Sequence, residues 1–425
     1  MPPIRFIHAA DLHLDAAFSG LSRDIPADFA ERLRTATFTA FRRLLDLCER
    51  ESPDFLLLAG DVYNQEDASV SAQLALRDGF RRLESLSIPV FLVHGNHDPL
   101  ASRLRSVRWP GNVTVFGELP DAVPVFRKGE GTPFAIIHGA SHASGRETRN
   151  LAALFRRTEA CGLHVGLLHA TPGDADGVAR YAPFSQEDLK ASGMDYWALG
   201  HIHDRREVCR EPLAAYPGCT QGLHINEPGE KGCLLVTAEA RSDGGYAVRT
   251  SFRPLGPAVW KTLDMDLGGA ASLDELENRL RTGLDRAAAE VWSGCEMLLV
   301  RLRLQGRTEL DGLLRKGTTC AELADRLRED GSGVPRIWIK DIDVATRPCV
   351  ERGALLERED LLGEVFRLSE AARTASGLQA LREGPLAPLF AHARAGKALE
   401  PLTDEELARL LDDAESLCLD LLEND

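Results

Sequence analysis

Five short clusters of potential metal ligands occur in a fixed order along the first half of this 425-residue chain. They are Asp11-Leu12-His13, Gly60-Asp61, Gly95-Asn96-His97-Asp98, His169 and Gly200-His201-Ile202-His203. This mixture of oxygen ligands and imidazole suits manganese, iron or zinc better than calcium. The clusters contain no cysteine, which argues against a structural zinc knot. The residue types therefore indicate a site where metal ions take part in chemistry.

Each cluster comes directly after a run of apolar residues that is typical of a β-strand. The runs cover residues 4–9, 55–59, 90–93, 164–168 and 196–199. Strand ends on one edge of a sheet lie close together, so clusters that are far apart in the chain can converge on one site. Any single cluster is more often part of a loop or turn than a ligand set, because Gly, Asn and Asp favour turns. The occurrence of all five after strands favours the metal site.

Two metal ions held about 3.5–4 Å apart need a ligand that bridges them. Asp61 is the best candidate for this bridge, because Gly60 lets the backbone turn immediately before it. Asp11 and His13 alternate across a strand end, so both can reach one ion if the chain bends there.

The remaining clusters offer both ligands and groups that can act on a substrate. His201 and His203 have the same alternating spacing and can supply one ligand to each ion. Asn96 offers a neutral carbonyl oxygen, which leaves its neighbour His97 free to act on the substrate. Asp98 is expected to hydrogen-bond the other ring nitrogen of His97 and to fix its tautomer. We therefore predict His97 and Asp98 as catalytic residues.

These motifs together resemble those of the calcineurin-type metallophosphoesterase superfamily. Residues 10–14 (ADLHL), 58–61 (LAGD), 95–98 (GNHD) and 198–203 (ALGHIH) resemble the motifs of DNA-repair nucleases of the SbcD type. Residues 216–222 (YPGCTQG) and 227–232 (EPGEKG) resemble the YhaO branch of that family. The resemblance covers residues 4–235 and implies a β-sandwich that binds two divalent ions.

The resemblance also implies a role for each residue. One ion would be held by Asp11, His13, Asp61 and His203, and the other by Asp61, Asn96, His169 and His201. Manganese is the expected ion, with iron, zinc or magnesium as alternatives, and His97 would assist the leaving group or the transition state. SbcD-type nucleases usually carry His three residues after the bridging Asp, where this chain has Asn64. This departure bears on strand preference and cleavage polarity rather than on the metal site.

The net charge of −15 is unusual for a protein that binds a phosphate backbone. The charge is unevenly placed, since residues 350–425 contain 17 acidic and 8 basic residues and so carry −9 of it. The arginines near the motifs are either phosphate contacts or ordinary solvated side chains; they are Arg103, Arg105, Arg108, Arg205 and Arg206. DNA binding is therefore expected to depend on a partner or on dimerisation.

Composition also bears on the cellular compartment. The nine cysteines are scattered and include no Cys-x-x-Cys, which is typical of reduced thiols in a cytoplasmic protein. No apolar stretch approaches the roughly 20 residues of a membrane span. The first residues run directly into a strand and lack a signal-peptide pattern. We expect a cytoplasmic protein with no membrane partner.

The pattern of elements predicts an α/β (α+β) chain of three domains. Residues 1–256 alternate strands with helices, among them helices over 28–50 and 67–86, and are expected to form the metallophosphoesterase β-sandwich flanked by helices. Residues 257–349 follow a β-α-β-α-β order that fits a small DNA-binding capping domain. Residues 350–425 are expected to form a helical, partner-binding segment, because its last helix is rich in leucine and acidic residues.

The resemblance therefore implies a two-metal DNA exonuclease or phosphodiesterase of DNA repair. Its expected partners are DNA, a coiled-coil ATPase of the SbcC or YhaN type and a second copy of the chain. Two alternatives stay open. One is a phosphodiesterase or phosphatase that uses the same site on small nucleotides, although such an enzyme has little use for residues 258–425. The other is a scaffold that keeps its metals but mainly regulates the ATPase.

Overall fold

The computed structural model describes residues 2–21, 25–64, 69–101, 107–173, 180–329, 333–349, 352–391 and 402–422. The chain forms two compact units. One consists of Met1–Asp266, Asp274–Gln305 and Leu314–Ala345, and the other of Leu267–Leu273, Gly306–Leu313 and Thr346–Asp425. The three-domain division at residues 256 and 349 stays a prediction. No helix in the described ranges is long and apolar enough to cross a membrane.

Strands and helices alternate through most of the chain. The strands are β1 (Ile4–Ala9), β2 (Phe55–Ala59), β3 (Val90–Val93), β4 (Val113–Val115), β5 (Asp121–Val125), β6 (Ala135–Ala140), β7 (Leu163–His169), β8 (Tyr196–Gly200), β9 (Arg206–Arg210), β10 (Leu213–Tyr216), β11 (Gly232–Ala240), β12 (Tyr246–Pro254), β13 (Ala258–Asp266), β14 (Met297–Thr308) and β15 (Arg336–Pro348). The helices are α1 (Ala27–Arg34), α2 (Ala36–Glu51), α3 (Val70–Ser85), α4 (Gln186–Ala191), α5 (Leu273–Glu290), α6 (Asp311–Leu314), α7 (Thr319–Glu329), α8 (Arg352–Leu356), α9 (Leu361–Ala372), α10 (Ala375–Glu383), α11 (Ala387–Ala391) and α12 (Asp404–Leu422).

Two mixed sheets pack face to face in the larger unit. Their strand orders, within the described residues, are β12-β11-β1-β2-β3-β4 and β5-β6-β7-β8-β10-β9. Within each sheet the strands that precede the motifs are parallel to one another, so their carboxyl ends share one edge of that sheet. Between the sheets, the ring of Phe6 lies 4.8 Å from that of Phe55 and 5.5 Å from that of Tyr196, measured between centroids. The strands are nearly continuous apolar runs because both of their faces are buried.

Helices cover the outer face of the first sheet. Phe41 of α2 and Phe80 of α3 join the buried cluster that includes Leu56 and Leu58 of β2. The single helix expected over residues 28–50 is in fact α1 and α2, which meet at Thr35. The Thr35 hydroxyl donates to the carbonyl of Glu31 at 3.1 Å, and such bonds from a side chain to its own helix compete with helical geometry.

A third sheet, of order β13-β14-β15, begins in the larger unit, and Trp260 and Leu299 from it pack with Phe29 of α1. With α5 and α7 it has the predicted β-α-β-α-β order. The mixed α/β fold class is therefore confirmed, including the sandwich and its flanking helices.

The smaller unit is mainly helical, as predicted for the C-terminal segment. Leu355, Leu362, Phe366 and Leu419 form its buried cluster. Nearby, the buried carboxylate of Glu415 accepts two hydrogen bonds from Arg352, both at 2.8 Å, and one from Arg373 at 3.2 Å. Multiple hydrogen bonds of this kind compensate for the cost of burying a charge.

A buried histidine pair lies in the second sheet. His164 Nε2 donates to the carbonyl of Ala160 at 2.9 Å, so its Nδ1 accepts from His138 Nε2 at 3.0 Å. Burial, then the neighbouring His164 and Arg157, lower the pKa of His138 to about 4, against an opposing effect of Asp121. A second proton on His164 would place one donor against another, and burial disfavours a charged His138, so the fold favours the neutral pair.

We expect His138 to make the protein less stable in acid. Its pKa is lower in the folded chain than the ordinary value near 6.5, so its contribution is complete above pH 6.5 and is lost as pH falls towards 4. The measurement compares urea unfolding midpoints of the wild type and His138→Phe at pH 7.5 and pH 5. The wild type should lose stability relative to the variant at the lower pH, and a difference that does not vary with pH would contradict this assignment.

Candidate metal centre

The first group of ligands gathers the ends of β1 and β8. The ligand atoms of Asp11, His13 and His203 lie within 4.8 Å of one another. His13 Nε2 and His203 Nε2 are 3.1 Å apart. The Asp11 carboxylate also accepts the backbone N–H of His201 at 3.0 Å, and the Asp11 N–H donates to the Gly60 carbonyl at 3.1 Å. These bonds hold the ends of β1, β2 and β8 together.

The second group gathers the ends of β2, β3, β7 and β8. The ligand atoms of Asp61, His169 and His201 lie within 4.8 Å of one another. Asn96 Oδ1 lies 3.0 Å from His169 Nε2 and 3.1 Å from His201 Nδ1. His169 Nδ1 donates to the carbonyl of Ala59 at 2.9 Å, so its Nε2 is the nitrogen that faces the group. The structure thus brings the seven predicted ligands into two adjacent groups.

Asp61 lies between these groups. Its Oδ2 atom is 3.3 Å from His169 Nε2 in the second group and 4.0 Å from His13 Nε2 in the first. Its Oδ1 atom accepts the backbone N–H of His97 at 2.9 Å, which fixes the carboxylate plane. This position is the one that a bridging carboxylate requires.

The backbone at the site is strained. Asp11, His13, Asp61 and His201 have positive φ angles of 50°, 39°, 49° and 104°. Residues other than glycine rarely adopt this conformation, and such residues cluster at functional sites. Close packing adds a second constraint, because a Cβ atom on Gly95 would lie 2.3 Å from Asp61 Oδ1. The motif glycine at this position is therefore required by its neighbours.

Burial and charge oppose each other at the two carboxylates. Burial raises the pKa of Asp11 above its ordinary range. Burial alone would raise the pKa of Asp61 too, but the nearby histidines, His169 foremost, outweigh it and hold that pKa below its usual range. For His169 the desolvation is likewise outweighed, mainly by Asp61, and its pKa rises to about 9. The interior of the site therefore favours a negative Asp61 beside a positive His169, whereas burial disfavours the charged form of Asp11.

The site residues fit a pair of divalent ions. Two nitrogens that each lie about 2.1 Å from one ion, at roughly right angles, are about 3 Å apart, and the two imidazoles of the first group have this spacing. Both carboxylates are almost completely buried, at 0 % and 1 % exposure, where uncompensated charge is costly. The neutral oxygen of Asn96 completes a mixed oxygen and nitrogen ligand set.

His97 stands apart from both groups. It is exposed, and its ring meets the ring of His13 edge-on at 5.1 Å between centroids. Within the described residues no hydrogen bond engages its side chain, since only its backbone N–H is held, by Asp61. The ring therefore borders the site and is accessible to a substrate.

The position predicted for Asp98 is wrong. Its carboxylate does not orient His97 but lies fully buried beneath the loop, where it accepts the N–H of Gly95 at 2.7 Å and that of Val62 at 3.0 Å. Its other neighbour is His94, whose Nδ1 lies 3.3 Å from Oδ2. An aspartate three residues after a turn glycine readily closes the turn on itself, and this local bond directs the side chain inwards. Asp98 therefore shapes the loop that carries Asn96.

Other histidines near the motifs have structural hydrogen bonds. His8 Nδ1 lies 2.9 Å from the Tyr196 hydroxyl, and its Nε2 donates to the carbonyl of Leu199 at 3.1 Å. His142 Nε2 donates to the carbonyl of His169 at 2.6 Å. These side chains connect the strands that carry the ligands and do not join either group.

The contacts of two acceptors at the site were not predicted from the sequence. Asn64 Oδ1 lies 2.6 Å from His13 Nδ1, and Glu227 Oε1 lies 2.5 Å from His203 Nδ1. Glu227 belongs to the EPGEKG motif, which was noted only as a resemblance. The position of an acidic residue in a loop does not reveal which histidine it will meet. A search of the sequence for carboxylates beside tight turns would have found Glu227 together with many unrelated carboxylates.

The arginines near the motifs divide into two sets. Arg103 and Arg105 lie outside the described residues, whereas the other three, Arg108, Arg205 and Arg206, lie within them. Arg205 and Arg206 are exposed and stack on Phe252 and Tyr216, with 4.1 Å and 5.5 Å between guanidinium carbon and ring centroid. Arg205 and Arg206 follow His203 by two and three positions in the chain.

Comparison with known proteins agrees with this geometry. The family model described as calcineurin-like phosphoesterase matches residues 4–205, and the model of the YhaO middle domain matches residues 260–347. The metallophosphoesterase YhaO of Bacillus subtilis is 34 % identical over 90 % of this chain and 91 % of its own length. The DNA double-strand break repair protein Mre11 of Aeropyrum pernix is 26 % identical over 68 % of this chain and 69 % of its own.

Proposed function

Because the chain belongs to the calcineurin-like metallophosphoesterase family, we propose that it is a two-metal exonuclease that hydrolyses the backbone phosphodiesters of DNA. The observation that carries this proposal is the position of Asp61 between two groups of ligands. Two such groups around a shared carboxylate suit the in-line hydrolysis of a phosphate ester. We propose manganese as the resident ion.

The protein's own residues have distinct parts in this reaction. Asp11, His13, Asp61 and His203 would hold one ion, and Asp61, Asn96, His169 and His201 the other. When bound, the ions would neutralise negative charge on the phosphoryl oxygens and lower the pKa of water. His97 is exposed beside the first group and donates a proton to the ester oxygen that leaves as the P–O bond breaks. The oxygen of water takes its place on phosphorus, and the proton that the water loses passes to solvent.

DNA as the substrate is supported from outside the ligand groups. The Mre11 relative is named for DNA double-strand break repair, and its similarity extends over two thirds of this chain. The exposed Arg205 and Arg206 offer cations to a phosphate chain that reaches beyond the scissile bond. An enzyme for small nucleotides would need no cation beyond the scissile phosphate.

Cleavage assays separate this proposal from its rival. The purified chain is incubated with manganese and end-labelled single-stranded or double-stranded DNA, and in parallel with cyclic nucleotides and mononucleotides. We expect stepwise shortening of DNA from an end. Hydrolysis of the small nucleotides with intact DNA would instead establish the small-nucleotide enzyme.

We also propose that the C-terminal unit binds a coiled-coil ATPase. The last helix, α12, buries Leu407 and Leu419 but leaves Leu417 and Leu421 56 % and 66 % exposed. Exposed leucines on an acidic helix suit a partner that offers an apolar groove with a basic rim. The overall charge of −15 adds to this argument, because a partner with a basic surface would help the complex to bind DNA.

Replacing the two most exposed leucines of α12 by charged residues should abolish ATPase binding and leave the metal centre intact. Leu417→Glu/Leu421→Glu changes side chains that already face solvent, so the unit should fold normally. The measurement compares co-purification with a coiled-coil ATPase from the same organism with hydrolysis of a small phosphodiester. Leu119→Glu, at a leucine 57 % exposed in the larger unit, is the matched control. Undiminished co-purification of the double variant would exclude this surface.

A further inference from the structure

The two imidazoles of the first ligand group are held in the same way. The Nε2 atoms of His13 and His203 face each other at 3.1 Å. On the far side of each ring, Nδ1 meets an oxygen: Asn64 Oδ1 at 2.6 Å for His13 and Glu227 Oε1 at 2.5 Å for His203. Both oxygens come from loops rather than from the strands that carry the ligands.

These contacts determine which nitrogen carries the proton. An amide oxygen and a carboxylate only accept hydrogen bonds, so Nδ1 of each ring must be the donor. Each neutral ring then presents the lone pair of Nε2 to the other ring. Two lone pairs at 3.1 Å repel unless a cation lies between them, and a metal ligand requires the free lone pair.

We propose that Glu227 and Asn64 are positioning residues that fix the tautomers of His203 and His13 so that both present Nε2 to one metal ion. This inference rests on the two-metal centre of the proposed function and is independent of DNA as the substrate. It also assigns a purpose to the EPGEKG motif. Residues that hydrogen-bond a histidine ligand, without touching the ion, commonly orient that ligand in this manner.

Glu227 is itself well anchored for this task. Its second oxygen, Oε2, accepts the backbone N–H of Leu223 at 2.6 Å. From the same motif, Lys231 Nζ donates to the carbonyl of His203 at 3.0 Å. The motif therefore holds His203 at both its ring and its backbone, and it leaves the ring little freedom to rotate.

The two acceptors should differ in strength. A carboxylate accepts a stronger hydrogen bond than an amide and makes the imidazole a better electron donor. Removal of the Glu227 side chain should consequently lower the affinity for the ion more than removal of the Asn64 side chain. The neutral acceptor at position 64 leaves the first group with fewer negative charges than a second carboxylate would give.

Manganese titration of the full chain, followed by the electron paramagnetic resonance signal of the free ion, tests the proposal. The wild type should bind two ions. Glu227→Ala should weaken one binding step by about 10–100-fold and leave the other nearly unchanged, and Asn64→Leu should have a smaller effect on the same step. Glu227→Gln keeps an acceptor oxygen and should recover part of the loss. Asn64→Asp offers a stronger acceptor and should bind the ion at least as tightly as the wild type.

Glu230→Ala is the matched control, because Glu230 lies in the same motif and accepts one backbone N–H, from Trp292 at 2.9 Å. It removes the same charge but should retain both ions at full affinity. Two full-affinity ions in Glu227→Ala, or an equal loss in Glu230→Ala and Glu227→Ala, would overturn the positioning role. A wild type that binds no manganese would instead overturn the manganese centre itself.

Discussion

Asp61→Asn is expected to abolish hydrolysis and to weaken the binding of both metal ions by about 100-fold or more, beyond the loss seen for residues that only orient a ligand. The carboxylate lies within 4.0 Å of a histidine in each ligand group. An amide offers one neutral oxygen in place of two charged ones. If that oxygen keeps the bond to the His97 N–H, the NH₂ group faces His169 and cannot accept an ion.

Metal analysis and a phosphodiesterase assay measure this effect together. The variant and the wild type are loaded with manganese, desalted, and compared for metal content and for hydrolysis of bis-p-nitrophenyl phosphate. Asp243→Asn makes the same chemical change on an exposed loop and should behave as the wild type. Circular dichroism should show an unchanged fold in both variants. Near-normal metal content and turnover in Asp61→Asn would rule out the bridging role.

His97→Ala should have the opposite pattern, with both ions retained and the rate lowered by about 10²-fold or more. The reason is that its ring lies outside both ligand groups and is exposed beside the first of them. A general acid matters most when the leaving oxygen is strongly basic. The loss should therefore be large for DNA, whose leaving group is an alkoxide, and small for an ester that releases p-nitrophenolate.

The leaving-group comparison distinguishes this role from ligation. Rates for the two ester types are measured at saturating manganese, alongside metal content. His224→Ala removes another partly exposed histidine and should affect neither quantity. If His97→Ala lost metal in step with its activity, His97 would be a ligand. An equal loss with both esters would argue against proton donation.

The strand ends were readable from the sequence because they depend on local pattern. Apolar runs such as residues 55–59 predict buried parallel strands, and polar residues after them must lie at the sheet edge. The grouping of Asp11, His13 and His203 came from family resemblance, and the structure brings their ligand atoms together. Pattern alone left open which histidine accompanies which carboxylate.

Two predictions from the sequence were wrong because local hydrogen bonds changed the conformation. Asp98 stands next to His97 in the chain, but its buried carboxylate turns to Gly95 and Val62. The helix expected over residues 28–50 divides at Thr35, where a side-chain hydroxyl bonds the preceding turn. In both cases a short-range hydrogen bond decides between conformations that apolar periodicity cannot distinguish.

What the sequence by itself determined is the fold class and the edge on which the metal ligands lie, since both follow from the periodicity of strands and the residues at their ends. The tertiary structure alone decided that Glu227 meets His203 and Asn64 meets His13, across 24 and 51 positions of chain. It likewise decided that Leu417 of α12 faces solvent while Leu419 is buried. The physical reason is that such contacts depend on how loops and helices pack over long distances, and no local pattern of residue types encodes that packing.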